Sequence, residues 1–525
     1  MLCSLAGTMR RWTQESQQTQ EPACEKAFRK RPMPTATLAA NDPIPMRFRK
    51  SNVPQAPVIV WFRADLRLDD NPALAAAAES GQPVLAVYIL DTTDPHPPGG
   101  ASKWWLHHSL SSLAAALARR GIRLVLRRGN PAAKLLKVVA QSGATSVVWN
   151  RAYDPHTVAR DTAIKIRLKA ENIACQSTPG ELLVEPWAMA SGTGRPYRIF
   201  TPFYKALLAR TSSDPPLAAP RLLSAFDGAV ESDDLVSWSL CPSAPDWAGG
   251  LREVSSPGED GARRRLLRFI DDDMGSYGKM RDIPSRDGTS RLSPHLAFGE
   301  LGSRRVWHTL MAHPPGSGRD DVLRQLAWRE FARHLLFHLP EFPNRPMRAE
   351  FEAFPWVADT QSLRAWQRGR TGYPIVDAGM RQLWRTGWMH NRVRMIVASF
   401  LTKHLRIDWR RGAAWFWDTL VDADLGNNTA GWQWVAGCGT DAAPYFRVFN
   451  PTLQGRKFDP DGDYVRRWVP ELALVPSEWI HQPWLTPGQT LADARVTLGR
   501  DYPHPIVDHA SARAAALAAY RTIRA

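Results

Sequence analysis

Between Val58 and Asn150 short apolar runs alternate with helical stretches, and after Gly261 no strand pattern recurs. This change of rhythm restricts the chain more than any other feature. Val58–Phe62, Pro83–Leu90, Ile122–Leu126 and Ser146–Asn150 read as strands. Asn71-Pro72 supplies a capping amide and a first-turn proline for an Ala-rich helix. Lys103–Arg120 reads as a second helix, closed by Gly121. A third helix separates the last two strands. The β-α-β-α-β order predicts a parallel sheet wrapped by helices. Such sheets bind ligands outside the C-terminal ends of their strands. No GxGxxG or GxxxxGKS/T occurs, which excludes a standard dinucleotide or P-loop site.

The expected organisation is α/β followed by all-α. Residues 1–56 read as a disordered basic tail without the apolar core of a secretory signal. A Rossmann-like parallel-sheet domain spans 57–185. A Pro-, Ser- and Asp-rich linker over the surface covers 186–255. An all-helical domain fills 256–525, with helical patterns at Leu323–Phe337, Ile375–Thr386, Asn391–His404 and Ala510–Ile523.

Lys plus Arg is 67 against 51 Asp plus Glu, a net charge of +16. That balance favours a polyanionic partner such as nucleic acid. Compositional bias gives the same balance, because Arg far outnumbers Lys. No apolar run reaches the roughly 18 residues of a membrane span. The five cysteines stand far apart, without metal spacing. A reduced cytoplasm and no zinc or iron-sulfur site are therefore expected.

The chain holds 22 Trp, and the stretch from Gly387 to Trp434 mixes indoles with amides, guanidiniums and carboxylates. Gly288–Ser293 with Pro294 is a small-polar loop entering a helix, with Ser293 suited to the N-cap. It is either a phosphate cradle, through its backbone N–H groups, hydroxyls and Arg291, or a plainly capped helix. Asn391 and Met395 share a helix face, with Arg394 on an adjoining face. They suit a planar heterocycle with polar edges, or else a surface helix. Asp422 and Asp424 read as a dyad, as acceptors for ribose hydroxyls or ring N–H groups, or as a helix cap. No third ligand follows, so no metal pair is expected. Asn428 offers a neutral carbonyl to a ring N–H. Trp356, Trp409 and Trp432, like Trp328 and Trp434, are either core or stacking surfaces for unpaired bases.

Taken in order, several motifs resemble the photolyase/cryptochrome family: Trp61–Pro72, Gly288–Ser293, Trp328–Phe331, Thr371–Asp377, Gly387–Met395, Asp422–Trp434 and Gly439–Phe446. The resemblance runs from about residue 57 to 510. It implies FAD in the helical domain. Tyr277, Thr289, Ser290, Arg291, Leu292 and Ser293 would hold phosphates and ribose. Trp388, Asn391, Arg394, Asp422, Ala423 and Asp424 would surround the ring systems. Asn428 would face flavin N5, where a neutral amide spares the anionic reduced flavin a repelling charge. Trp432, Trp409 and Trp356 match an electron relay from flavin to surface. Gln325, Trp328, Met395 and Trp434 would line the lesion pocket, and Arg281, Arg329, Arg392 and Gln454 would meet DNA.

The family's animal cryptochromes and eukaryotic (6-4) enzymes carry a His-rich pattern where this chain has His390–Met395, and prokaryotic (6-4) enzymes need four clustered cysteines. The chain ends soon after its last helix, so no long signalling tail is expected. The resemblance therefore implies a cyclobutane pyrimidine dimer photolyase of class I or class III type. It would act on UV-damaged DNA as a cytoplasmic, nucleoid-associated monomer. The alternatives are a cryptochrome-type photoreceptor without repair and (6-4) photoproduct repair. Gln325 stands where dimer photolyases usually have glutamate, yet an amide can still hydrogen-bond a pyrimidine edge. The family's folate-binding Asn-Glu pair falls near His156-Thr157, which leaves a second antenna chromophore open between a folate and a deazaflavin.

Overall fold

The computed structural model describes residues 56–212, 214–440 and 446–524. The predicted tail, and residues 441–445 of the Gly439–Phe446 motif, lie outside the described residues.

Strand β1 (Val58–Phe62) is apolar at every position because both its faces are covered. Val58, Val60 and Phe62 pack on one side of the sheet, Ile59 and Trp61 on the other. The remaining strands are β2 (Val84–Asp91), β3 (Leu124–Gly129), β4 (Ser146–Asn150) and β5 (Ala174–Thr178). All pairs are parallel, in the order β3-β2-β1-β4-β5. Helices α1 (Pro72–Glu79) and α2 (Gly100–Ala118) cover one face, and α3 (Pro131–Ser142) and α4 (Pro155–Ala170) the other. As expected, Asn71 caps α1 by accepting from the Leu74 N–H.

Two local differences from the sequence reading have physical causes. Strand β3 starts at Leu124 rather than Ile122, because the Ile122 amide donates to the Leu117 carbonyl and closes α2. Strand β5 has the sequence Ala-Cys-Gln-Ser-Thr and sits at the sheet edge, so no apolar run announces it.

The stretch expected to be a surface linker is more structured than that. It holds α5 (Phe200–Arg210) and α6 (Gly249–Val254). Between them the chain returns to the sheet. The Val84 N–H donates to Ser224 O and the Phe226 N–H to Val84 O. Val230 then joins one sheet core, and Trp238 and Leu240 the other.

The rest is helical, as expected. It comprises α7 (Glu259–Arg268), α8 (Tyr277–Met280), α9 (Ser293–Ala297), α10 (Ser303–Met311), α11 (Ser317–His338) and α12 (Thr360–Gln367). There follow α13 (Pro374–Thr386), α14 (Asn391–Ser399), α15 (Trp409–Thr419), α16 (Leu425–Ala436), α17 (Pro451–Phe458), α18 (Asp463–Trp468), α19 (Gly488–Asp493) and α20 (His509–Thr522). A large apolar cluster joins α13 to α16 with α18 and α20.

The opening Trp61–Pro72 motif stitches the two lobes together. Arg67 donates to Gly299 O at 2.9 Å, Asp69 pairs with Arg305 at 2.8 Å, and Asp70 pairs with Arg304. Gly99 is needed at a second contact, because a Cβ there would stand 2.4 Å from the Asp418 backbone.

Candidate functional site

Five segments bring polar side chains to one cavity in the helical part. Helix α11 contributes Gln325 and Arg329, one turn apart on one face. Thr289–Ser293 come from the loop before α9, Asn391 and Arg394 from the first turns of α14, and Asp422 and Asp424 from the approach to α16. Tyr277 opens α8 and Arg281 directly follows it. With Trp388 these residues line a space of roughly 1160 Å³, its open mouth included.

The loop is oriented from behind. Arg265 of α7 donates to Ser290 O at 2.8 Å and to Thr289 O at 2.9 Å. A carbonyl and the following N–H point opposite ways in a trans peptide. The N–H groups of Ser290 and Arg291 are thus turned away from Arg265. This is the donor arrangement of an anion cradle. Arg291 adopts the left-handed region, φ +48°, and its guanidinium lies 4.6 Å over the Trp388 ring.

Ser293 departs from expectation. It is the first helical residue of α9, and Leu292 occupies the cap position without a side-chain bond. The Ser293 hydroxyl instead donates to Asp422 Oδ2 at 2.6 Å. Arg394 Nη2 donates to the same oxygen at 2.8 Å, and its Nε to Met389 O at 2.8 Å. Asp424 caps α16, accepting from Asn427 N and Asn427 Nδ2, each at 2.8 Å. Burial pushes its carboxyl up, but Arg333, Arg329 and the Asn427 donors more than offset this and hold it below the ordinary range. Arg333 meets Asp424 at 2.6 Å and Glu181 at 2.8 Å.

Four buried atoms on the cavity wall have no partner in the protein: Asp422 Oδ1, Asn391 Oδ1, and the Oε1 and Nε2 of Gln325. A buried polar group left unpaired costs about 1–3 kcal/mol. The acceptors suit ring N–H groups and ribose hydroxyls, and the loop suits phosphates. The Gln325 amide can read a ring edge that carries both a donor and an acceptor. Among the described residues no cluster of His, Cys, Asp or Glu suits a metal ion.

Other expected residues lie outside this lining. Asn428 donates its Nδ2 to Ala413 O at 3.0 Å, and Asn427 lines the cavity instead. Ala423 packs against the helical core. Met395 is buried, 3.9 Å from Arg392 Nη1. Arg392 pairs with Asp282 at 2.7 Å and lies over Phe458. Trp328 is buried, its ring stacked on Phe200 of α5 with centroids 3.6 Å apart. Trp434 lines a separate hollow with Lys403 and Phe449. Two residues from Trp432 on the helix, it necessarily faces elsewhere. Gln454 is half-buried on α17.

Trp432 and Trp409 are fully buried in one apolar cluster, and the half-buried Trp356 packs against it. Trp432 touches Phe416 and Trp366, with centroids 5.0 and 6.2 Å away. Gly412, one turn after Trp409, gives Trp432 its space: a Cβ there would stand 2.1 Å from the indole.

Sequence reasoning missed Arg265, Arg333, Asn427 and Glu181. Arg265, Arg333 and Glu181 act on site residues from other segments, which no local spacing signals, whereas Asn427 lies three residues from the Asp424 that it bonds.

A second cavity of roughly 1120 Å³ opens at the C-terminal ends of β1, β2 and β4, where the sheet order reverses and ligands are expected. Trp61, Arg63, Asn150, Thr157 and Arg160 line it, and Ala297 borders both cavities. Arg63 and Arg160 lie 4.9 and 5.3 Å from the Trp61 ring centre, and the buried Trp61 Nε1 has no partner.

The chain is similar in sequence and fold to known proteins. Residues 58–221 match the family model described as DNA photolyase. Residues 322–522 match the FAD binding domain of DNA photolyase. A deoxyribodipyrimidine photo-lyase from Agrobacterium fabrum is 51% identical, covering 89% of this chain and 98% of that protein. Cryptochrome-1 from Arabidopsis thaliana is 40% identical, covering 87% and 69%. The crystal structure of a bacterial class III photolyase from Agrobacterium tumefaciens superposes with a TM-score of 0.88 at 50% identity, covering 90% of this chain and 99% of that one.

Proposed function

Since the chain belongs to the photolyase/cryptochrome family, we propose that it is a deoxyribodipyrimidine photolyase, which splits cyclobutane pyrimidine dimers in UV-damaged DNA with light. The observation that carries this reading is the sharing of one cavity wall. Unpaired acceptors suited to a flavin stand beside Gln325, an unpaired amide suited to a pyrimidine edge.

FAD is the cofactor, and the helical domain holds it. When bound and reduced, FAD supplies on illumination the electron that opens the cyclobutane ring, and it receives that electron back. The residues of the chain do the rest. The Ser290 and Arg291 N–H groups meet the phosphates. Asp422 Oδ1 and Asn391 Oδ1 accept from the ring systems and ribose. Arg394 and Ser293 fix the Asp422 carboxylate, so its free oxygen is already aimed when the cofactor arrives. Gln325 and Arg329 position the flipped-out lesion. Flipping is cheaper for a damaged base pair, as is general for enzymes that extrude a base. No general acid or base is required, because the protein positions groups and tunes the cofactor. Trp432, Trp409 and Trp356 carry electrons to oxidised flavin from the surface.

The cavity at the sheet's switch point is, in this reading, the place of a second, light-harvesting chromophore. Arg63 and Arg160, each paired with a carboxylate, flank the Trp61 ring there, which suits a planar ligand. An absorption spectrum of the purified protein tests both assignments. Flavin bands are expected, with an additional near-UV or blue band from the second chromophore. A colourless protein would remove the flavin and the repair activity together.

A further inference from the structure

Behind the Thr289–Ser293 loop lies a groove of roughly 860 Å³ that the repair reaction does not use. Arg264, Arg265, Arg268 and Arg291 line it, with Ser255 and Ser256. Arg264 and Arg268 are one turn apart on α7, so they share a face. Arg291 reaches it from the loop.

The groove has more cations than its acids can match. Arg265, Arg268 and Arg291 all pair with one carboxylate, Asp287, at 3.2, 3.8 and 2.9 Å. Arg268 also meets Asp272 at 3.5 Å, and Asp273 faces Arg265 and Arg268. Arg467 adds positive charge beside Arg291. Arg264 forms no ion pair among the described residues. Five guanidiniums therefore stand against three carboxylates. Burial disfavours the charge on Arg291, so a further anion would stabilise the cluster. Guanidinium forks match phosphate oxygens in pairs, with charge-assisted bonds about twice as strong as neutral ones.

We propose that this groove is a second anion site, which binds a phosphate-bearing small molecule or the free inorganic ion outside the flavin cavity. Its ligand and the flavin share a wall. Arg291 and Trp388 line both spaces, and Arg265 holds the loop between them. Binding at one site thus changes affinity at the other by the same factor. Both ligands draw on Arg291 and both are negative, so the coupling opposes joint occupancy.

Calorimetric titration of the holoprotein with sodium pyrophosphate, and in parallel with thymidine diphosphate, tests this at an ionic strength fixed with sodium chloride. Saturable one-to-one binding of either probe is expected, and the tighter one identifies the source of the phosphate. The double substitution Arg264→Gln with Arg268→Gln should weaken binding at least tenfold while flavin content stays unchanged, since neither side chain lines the flavin cavity. Binding that the substitution leaves intact, or heats no larger than those of added chloride, would overturn the proposal. The same titration reads the groove whether or not the purified protein carries flavin, so the two readings fail separately.

Discussion

Arg394 donates to Asp422 Oδ2 at 2.8 Å and leaves Oδ1 of the same carboxylate without a partner in the flavin cavity. Both side chains are buried. Asp422→Asn keeps the shape but leaves Arg394 a buried cation with a neutral partner. Breaking a buried pair in this way costs about 3–5 kcal/mol. Flavin content per chain, read by absorbance after gel filtration, should fall severely. Full retention of flavin would show that Asp422 does not face the cofactor.

Trp432→Phe should abolish photoreduction of oxidised flavin while repair by chemically pre-reduced protein persists. Transient absorption and a repair assay on the two redox states separate these activities, and equal loss of both would refute the relay. Gly412→Ala probes the same residue by packing. Its Cβ would lie 2.1 Å from the indole, so the ring must move, at a cost of about 1–3 kcal/mol. A lower melting temperature and slower photoreduction are expected together.

Gln325→Glu should leave dimer repair unchanged or raise it. Arg329, one turn away on the same wall, and Arg281 can balance the new carboxylate. Clearance of thymine dimers from a defined oligonucleotide measures the effect. A native protein that repairs (6-4) photoproducts instead would overturn the substrate assignment.

The fold should weaken in mild acid. Burial pushes His334, His390 and His404 down to about 3, whereas an unfolded histidine titrates near 6.5. Between those values the unfolded state binds more protons, so stability falls as pH falls from about 6.5 towards 3. Each histidine contributes up to about 1.4 kcal/mol per pH unit. Glu330, pushed up to about 7 by burial, works the other way between about 4.5 and 7, but three histidines outweigh it. The urea midpoint should drop between pH 7.5 and pH 5. His390→Gln should shrink that drop, because the buried imidazole is gone. A flat midpoint would show that these histidines are hydrated.

Much of this structure is legible in local pattern. Val58–Phe62 and Ser146–Asn150 form strands over the bounds their apolar runs suggest, and Asn71 caps α1 as its type and position require. What escapes is set by distant contacts. Nothing near Ser293 shows that Asp422, far along the chain, takes its hydroxyl. Arg265 turns the phosphate loop from another helix, and Glu181 holds Arg333 from the edge of the sheet domain. Strand β5 is polar because an edge position buries little. The mixture of indoles, amides and carboxylates around Trp388–Trp434 is visible in sequence, but its division into a flavin shell and a relay comes from family resemblance. In the structure Asn427 lines the cavity and Asn428 does not.

The most direct test of the central claim is light-dependent loss of cyclobutane thymine dimers from DNA incubated with the reduced protein. Dimers should disappear under blue or near-UV light, with undamaged thymines restored, and should persist in darkness. Flavin photochemistry with no loss of dimers would contradict the assignment and identify a photoreceptor in its place.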